Sequence, residues 1–174
     1  EGGWFACDKI RFRSGYPQKL GGWLATTSEV FVGVCRQMYN WITSFSDNFL
    51  ALGTSKKVYI NVGAQYYDIT PLRETTAAGA VTFSAVTTAP YSSTITVSDT
   101  GSNVEVGDYV TFSGAATLGG NITANVLNQN YEVATRISGD SYTIIAKDPT
   151  TKLPVTSNAS DSGDGGPSVV GKYE

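Results

Sequence analysis

Residues 107–144 read GDYVTFSGAATLGGNITANVLNQNYEVATRISGDSYTI, and the fold class turns on their alternation of short apolar runs with turn residues. Tyr109–Ser113, Tyr131–Ile137 and Ser141–Ala146 are rich in aromatic and β-branched residues, the composition of a pleated, half-buried surface. Gly107-Asp108, Ser113-Gly114, Leu118-Gly119-Gly120, Asn128 and Gly139-Asp140 punctuate them with turn chemistry. Upstream, Val81–Ala85 and Ser93–Ser98 repeat the pattern. Such spacing predicts a small β-barrel or sandwich. Downstream, TSNASDSGDGGPS (156–168) is low-complexity and is expected to be a flexible loop, and Val169–Tyr173 is expected to be a strand returning to the first module.

That first module is residues 1–73. Trp4 to Arg13 alternates loosely. VFVGVCRQMYNWIT (30–43) places Val30, Val32 and Val34 on one face of a strand. A helix over Cys35–Trp41 is the alternative, against which Asn40 and the flanking β-branched residues weigh. Phe49–Thr54, Lys57–Asn61 and Tyr66–Thr70 follow, each short and separated by turn-like residues. Strands so joined make an antiparallel meander, which cannot bury both faces alone and suits a blade of a radial array. GluThrThrAlaAlaGly (74–79) is small and polar, a crossing point between modules. The expected fold is therefore mainly β. A propeller-like antiparallel sheet occupies 1–73, an inserted β-barrel or sandwich 74–168, and a returning strand 169–174.

Of the 174 residues, 41% are hydrophobic and only 16% charged, and Thr, Ser, Val, Tyr and Gly dominate, which favours strands and turns over long helices. No apolar run approaches the roughly 18 residues of a membrane span, and no secretory pattern opens the chain. It begins on Glu1 rather than Met, as an excerpt of a longer polypeptide does. The net charge of −3 is unevenly placed: residues 1–73 carry +3 and residues 74–174 carry −6. Only the first module can favour a phosphate backbone. Cys7 and Cys35 lack zinc or disulfide-framework spacing, so buried, reduced thiols are expected. The absence of histidine removes the usual general base and every Ser-His or Cys-His pair within the chain.

The stretch most suggestive of a partner is IRFRSGYPQKLGGW (10–23), where Arg11, Arg13 and Lys19 are interleaved with Phe12, Tyr16 and Trp23. One reading is a nucleic-acid grip, with cations on phosphates and rings on bases. The other is a strand with Ile10 and Phe12 inward and the arginines outward, followed by a Ser14-Gly15-Tyr16-Pro17 turn and a Gly21-Gly22 bend. Other candidates fail on spacing. Positions 3 and 5 counted from Asp161 are glycines, which does not suit a calcium loop. Gly53-Thr-Ser-Lys56 lacks P-loop spacing. Asn121-Ile-Thr123 and Asn158-Ala-Ser160 match the glycosylation sequon, a pattern frequent by chance. Asp68, Asp108 and Asp140 are the available carboxylates for acid–base work, but the last two sit beside glycine where a side-chain oxygen caps backbone N–H groups. No enzyme, metal or cofactor is expected.

Two resemblances extend this reading. With Gly107-Asp108 before a strand, Phe112-Ser113-Gly114 after it, Leu127-Asn128 before Tyr131 to Val133 and a closing Ser141 to Ile144, residues 107–144 resemble a small β-barrel module of phage proteins. That module is named by analogy with the first catalytic-cysteine half-domain of ubiquitin-activating enzymes. The resemblance implies a fold and no ubiquitin chemistry, since this stretch has no cysteine. The blocks CDKIRFRSGYPQKLGGW, VCRQMYNW, ALGTSKKVYI and YYDITPLRETT, in that order, resemble the N-terminal part of large structural proteins of short-tailed marine phages, of the tail nozzle, hub or packaged-DNA stabilisation type. Phe12-Arg13 and Gly15, Lys19 with Gly21-Gly22-Trp23, Gly53-Thr54 with Tyr59, and Tyr67 to Pro71 carry the match.

This second resemblance implies a propeller-like body in a ring around an axial channel, in contact with adaptor or portal proteins and passing double-stranded DNA. The location implied is the virion tail, assembled in the bacterial cytoplasm, with no membrane partner. Arg11, Arg13 and Lys19 are then the candidate contacts with DNA or with a neighbouring subunit. The alternative is a β-sandwich module that binds host carbohydrate through exposed Trp and Tyr.

Overall fold

The computed structural model describes residues 8–21, 30–63 and 65–174. Trp4, Cys7, Gly22 and Trp23, read above as parts of a strand and a bend, lie outside them. The fold is mainly β, as the alternation predicts, and divides into two compact units, Glu1–Ile69 and Thr70–Glu174. The division falls at 69/70 rather than at the change of charge at 73/74.

In the first unit, β1 (Ile10–Arg13) and β2 (Tyr16–Lys19) form a two-stranded antiparallel ribbon. Its turn is Ser14-Gly15 alone, with φ of 51° and 82°. Two left-handed residues in a two-residue loop match the right-handed twist of the flanking strands. Tyr16 and Pro17, expected in the turn, are therefore strand residues. Pro17 is tolerated because one amide row of a ribbon faces outward and needs no partner.

β3 (Cys35–Ile42), β4 (Asn48–Thr54), β5 (Val58–Val62) and β6 (Gln65–Asp68) follow as a meander in that spatial order. The strand expected from Val30 starts only at Cys35. Gly33, at φ 91°, turns the chain, and Val30, Val32 and Val34 stay exposed instead of sharing a strand face. Threonine side chains hold the turns: Thr43 Oγ1 accepts from the Phe45 and Asp47 amides, and Thr54 Oγ1 from those of Lys56 and Lys57. Among the described residues of this unit, Leu52 and Tyr59 are the buried apolar side chains. Cys35, expected to be buried, is half-buried and free.

The second unit has a core. Its elements are β7 (Glu74–Thr75), β8 (Thr82–Ala85), β9 (Thr94–Ser98), β10 (Tyr109–Ser113), the short helix α1 (Ala124–Leu127), β11 (Asn130–Glu132), β12 (Thr135–Arg136), β13 (Ser141–Ile145) and β14 (Val170–Tyr173). Two four-stranded sheets, β11-β10-β14-β7 and β12-β13-β9-β8, pack across one cluster that includes Phe83, Ile95, Val97, Phe112, Tyr142 and Ile144. Across the gap Phe83 meets Phe112 edge-on, ring centres 5.0 Å apart. Full burial of each aliphatic residue stabilises the fold by about 1.5–3 kcal/mol. Outward positions are polar: Thr82, Thr96, Ser98 and Ser141 alternate with the core residues. The arrangement is a sandwich of open ladders, not a closed barrel.

Three details depart from expectation. The run Tyr131–Ile137 is split, with β11 in one sheet and β12 in the other, the chain crossing at Val133-Ala134. β14 does not return to the first unit. It lies between β10 and β7, because Val169, Gly171 and Tyr173 face the sandwich core. Residues 156–168 are a loop, but Asp161 pins it. The carboxylate, 1% exposed, accepts from the amides of Gly120 (2.9 Å), Asn121 (3.2 Å), Ile122 (2.9 Å) and Asn158 (2.8 Å).

Candidate functional site

The register of the ribbon sorts the basic stretch into two faces. Ile10 lies opposite Lys19, Arg11 opposite Gln18, Phe12 opposite Pro17 and Arg13 opposite Tyr16. Residues directly opposite share a face, and alternate residues along a strand do too. Arg11, Arg13, Tyr16 and Gln18 therefore point one way, and Ile10, Phe12, Pro17 and Lys19 the other. The three cations named from sequence do not form one patch. Two of them do, joined by Tyr16, one of the rings of the nucleic-acid reading, and by Gln18, which sequence reading left out.

All four residues of the arginine face are exposed, Tyr16 by 74%. Beyond the backbone ladder, no ion pair or side-chain hydrogen bond joins Arg11, Arg13 or Lys19 to another described residue. The ribbon itself contains no acid, and the adjacent Asp8 lies 4.0 Å from Lys9. On the opposite face Ile10, Pro17 and Lys19 border a shallow hollow with Asp8 and Lys9.

The meander also has two unlike faces. On one, Tyr39, Trp41, Phe49, Ile60, Val62 and Tyr67 lie together by register, with no charged residue among the paired positions of that face. Trp41 is stacked with Phe49 (5.5 Å, 12° between planes) and with Tyr39 (6.1 Å, 26°). Tyr39 remains 67% exposed. On the other face Phe31 sits against Tyr59 and Tyr66, and the Tyr59 hydroxyl accepts from the Val32 amide. There Lys57, only 4% exposed, donates to Asp68 at 2.7 Å. Sequence reading had Asp68 as a spare carboxylate and missed Lys57, whose burial follows from its parity with Tyr59 on β5 rather than from any motif.

The remaining candidates are structural in geometry. Asp108 pairs with Arg73 at 3.3 Å and accepts from the Glu105 amide, and Asp140 accepts from the Gly101 amide at 2.7 Å. Both are turn caps. Asp161 has its oxygens occupied by amides, which leaves no calcium geometry in that loop. In the first sequon Asn121 donates to the Thr156 carbonyl and Thr123 caps α1; in the second Asn158 Oδ1 accepts from the Ser160 amide. Among the described residues no three acidic, Cys or His side chains are grouped to hold a metal ion, and no helix is long and apolar enough to cross a membrane.

A buried polar chain lies outside all these candidates. Tyr173 donates to Asp99, and Tyr142 and Tyr173 are 2.8 Å apart through their hydroxyls, with the Arg73 guanidinium over the Tyr173 ring. Burial moves the ionisation of both phenols to higher pH, and it does the same to the Asp99 carboxyl, against the Tyr173 hydrogen bond. Burial likewise pushes the Tyr131 phenol up to about 12. These groups hold the sandwich closed and offer no reactive pair to solvent.

No family model, no curated protein and no solved structure matches this chain.

Proposed function

We propose that the chain is a non-enzymatic structural component of a phage virion tail, part of a nozzle or hub ring around the DNA channel that retains and conducts the genome. The observation that carries the proposal is the four-stranded meander, whose uncharged aromatic face leaves Tyr39 and Tyr67 exposed. A sheet with such a face is stable in water only when another layer covers it, which is the situation of one blade among several. The resemblance of four ordered sequence blocks to short-tailed phage structural proteins supplies the context. Its partners in this reading are further copies of itself, adaptor or portal proteins, and passing duplex DNA.

The carbohydrate-binding alternative draws on the exposed Tyr39. Sugar platforms use free ring faces, whereas Tyr39, Trp41 and Phe49 stack with one another. Quantitative mass spectrometry of purified virions separates the two readings. A nozzle subunit is present at a small fixed copy number and co-purifies with the portal end of disrupted particles. Absence from particles, or the threefold stoichiometry of a receptor-binding fibre, would overturn the proposal.

A further inference from the structure

We infer that the Arg11–Arg13 face of the β1–β2 ribbon contacts the phosphate backbone of duplex DNA, and that Lys19 takes no part. This rests on the DNA-channel reading for its partner, and on the register for its surface. The two arginines stand two residues apart on one strand, so their Cα atoms are about 6.8 Å apart. That distance is close to the separation of neighbouring phosphates along one DNA strand, which combines the rise of about 3.4 Å along the axis with the turn of the strand around it. A guanidinium presents a planar fork that matches phosphate oxygens, and weak hydration lets it exchange water for them readily. Tyr16 and Gln18, across the ribbon on the same face, add an exposed hydroxyl and amide of the kind that also bind phosphate.

The partner has to be anionic because the face carries two positive charges and no acid, and neither arginine has a partner among the described residues. The repeat favours nucleic acid over an acidic protein surface, whose carboxylates have no fixed spacing. The opposite face, with Ile10, Phe12 and Pro17 around Lys19, has the composition of a packing surface rather than an electrostatic one. Two phosphate contacts make a weak, sequence-blind grip, which suits DNA that must slide.

The test uses the full chain and a labelled duplex of unrelated sequence, with binding followed by anisotropy across a salt series from low ionic strength. Each phosphate contact contributes about 0.9 to the slope of log K against log salt. The double substitution Arg11→Ser/Arg13→Ser is expected to lower that slope by about 1.8, and Lys19→Ser to leave it unchanged. Arg11→Lys/Arg13→Lys keeps the charge and is expected to retain the slope. Circular dichroism of each variant checks that the sheet content is intact.

Equal slopes for the wild type and the double Ser variant would overturn the inference, as would an equal loss in Lys19→Ser. So would arginine-dependent binding to poly-glutamate without binding to the duplex, which would point to an acidic protein partner. None of these outcomes touches the virion reading, which stands or falls on particle composition. Conversely, arginine-dependent DNA binding by a chain absent from particles would remove that reading and keep the surface.

Discussion

The phenol of Tyr173 donates to Asp99 Oδ2 at 2.6 Å, so β14 is tied by a buried hydrogen bond to the chain just past β9. Removing the donor leaves a buried carboxylate short of a partner, which costs about 1–3 kcal/mol, more where the group is charged. Tyr173→Phe is expected to lower the urea midpoint of the second unit by an amount in that range. A change within error would mean that water replaces the hydroxyl.

The same carboxyl makes stability depend on pH. Its folded value lies above the ordinary 3.8, chiefly because of burial, with the charges of Glu74 and Asp140 adding to the rise. An acid with a raised folded value binds more protons folded than unfolded, so its contribution to stability is lost as pH rises above the unfolded value. Asp99→Asn, which keeps an acceptor but does not titrate, is expected to gain on the wild type as pH rises from about 4 towards neutrality. A stability difference that is flat across that range would contradict the burial argument.

Asp161 holds four amides from two loops, so its removal strands several donors at once. Asp161→Ala is expected to cost about 3 kcal/mol or more, and Asp161→Asn less, because one carbonyl oxygen remains to accept. Chemical denaturation of both variants ranks them. If the two were equally mild, the clamp would contribute little.

The ion pair of the first unit gives an asymmetric expectation. Asp68→Asn leaves the Lys57 ammonium buried beside a neutral amide, at a cost of about 1–3 kcal/mol once the partial exposure of Asp68 is allowed for. Lys57→Met removes the charge that needs a partner and is expected to cost less. Thermal unfolding followed by tyrosine and tryptophan fluorescence reads the difference, and the reverse order would refute it.

The distribution of buried side chains makes a prediction about fragments. Residues 70–174, which contain the whole sandwich cluster, are expected to unfold cooperatively on their own, with a β-type spectrum. Residues 1–69, with Leu52 and Tyr59 as the buried apolar pair among the described residues, are expected to give a broad transition. A molten 70–174 fragment would show that the sandwich needs the first unit.

Much of this architecture was legible because the code involved is local. Tyr109–Ser113 is a strand over the residues that alternation marks, and Ser14-Gly15 announces a turn. What sequence could not show depends on parity and distance. A two-residue turn pairs residues across the ribbon so that odd positions of β1 face with even positions of β2, which puts Lys19 opposite the arginines' face. Val30 to Val34 looked like a strand because valine favours one, yet Gly33 in a left-handed conformation overrides three valines. The split of Tyr131–Ile137 between two sheets, and the burial of Asp161 and Asp99, depend on partners far away in sequence. No local pattern records them.

The place of β14 has a consequence for synthesis. The last strand of the sandwich to be made occupies an interior position of its sheet, with β10 and β7 on either side. While the polypeptide is emerging from the ribosome, Val110 and Thr111 have β11 to pair with but lack the ladder on their other side. The sheet carrying them reaches its final order only after residue 173 has cleared the exit tunnel. Until then the nascent sandwich exposes an open strand edge over a half-assembled core, the species most prone to wrong pairing between neighbouring chains on one message.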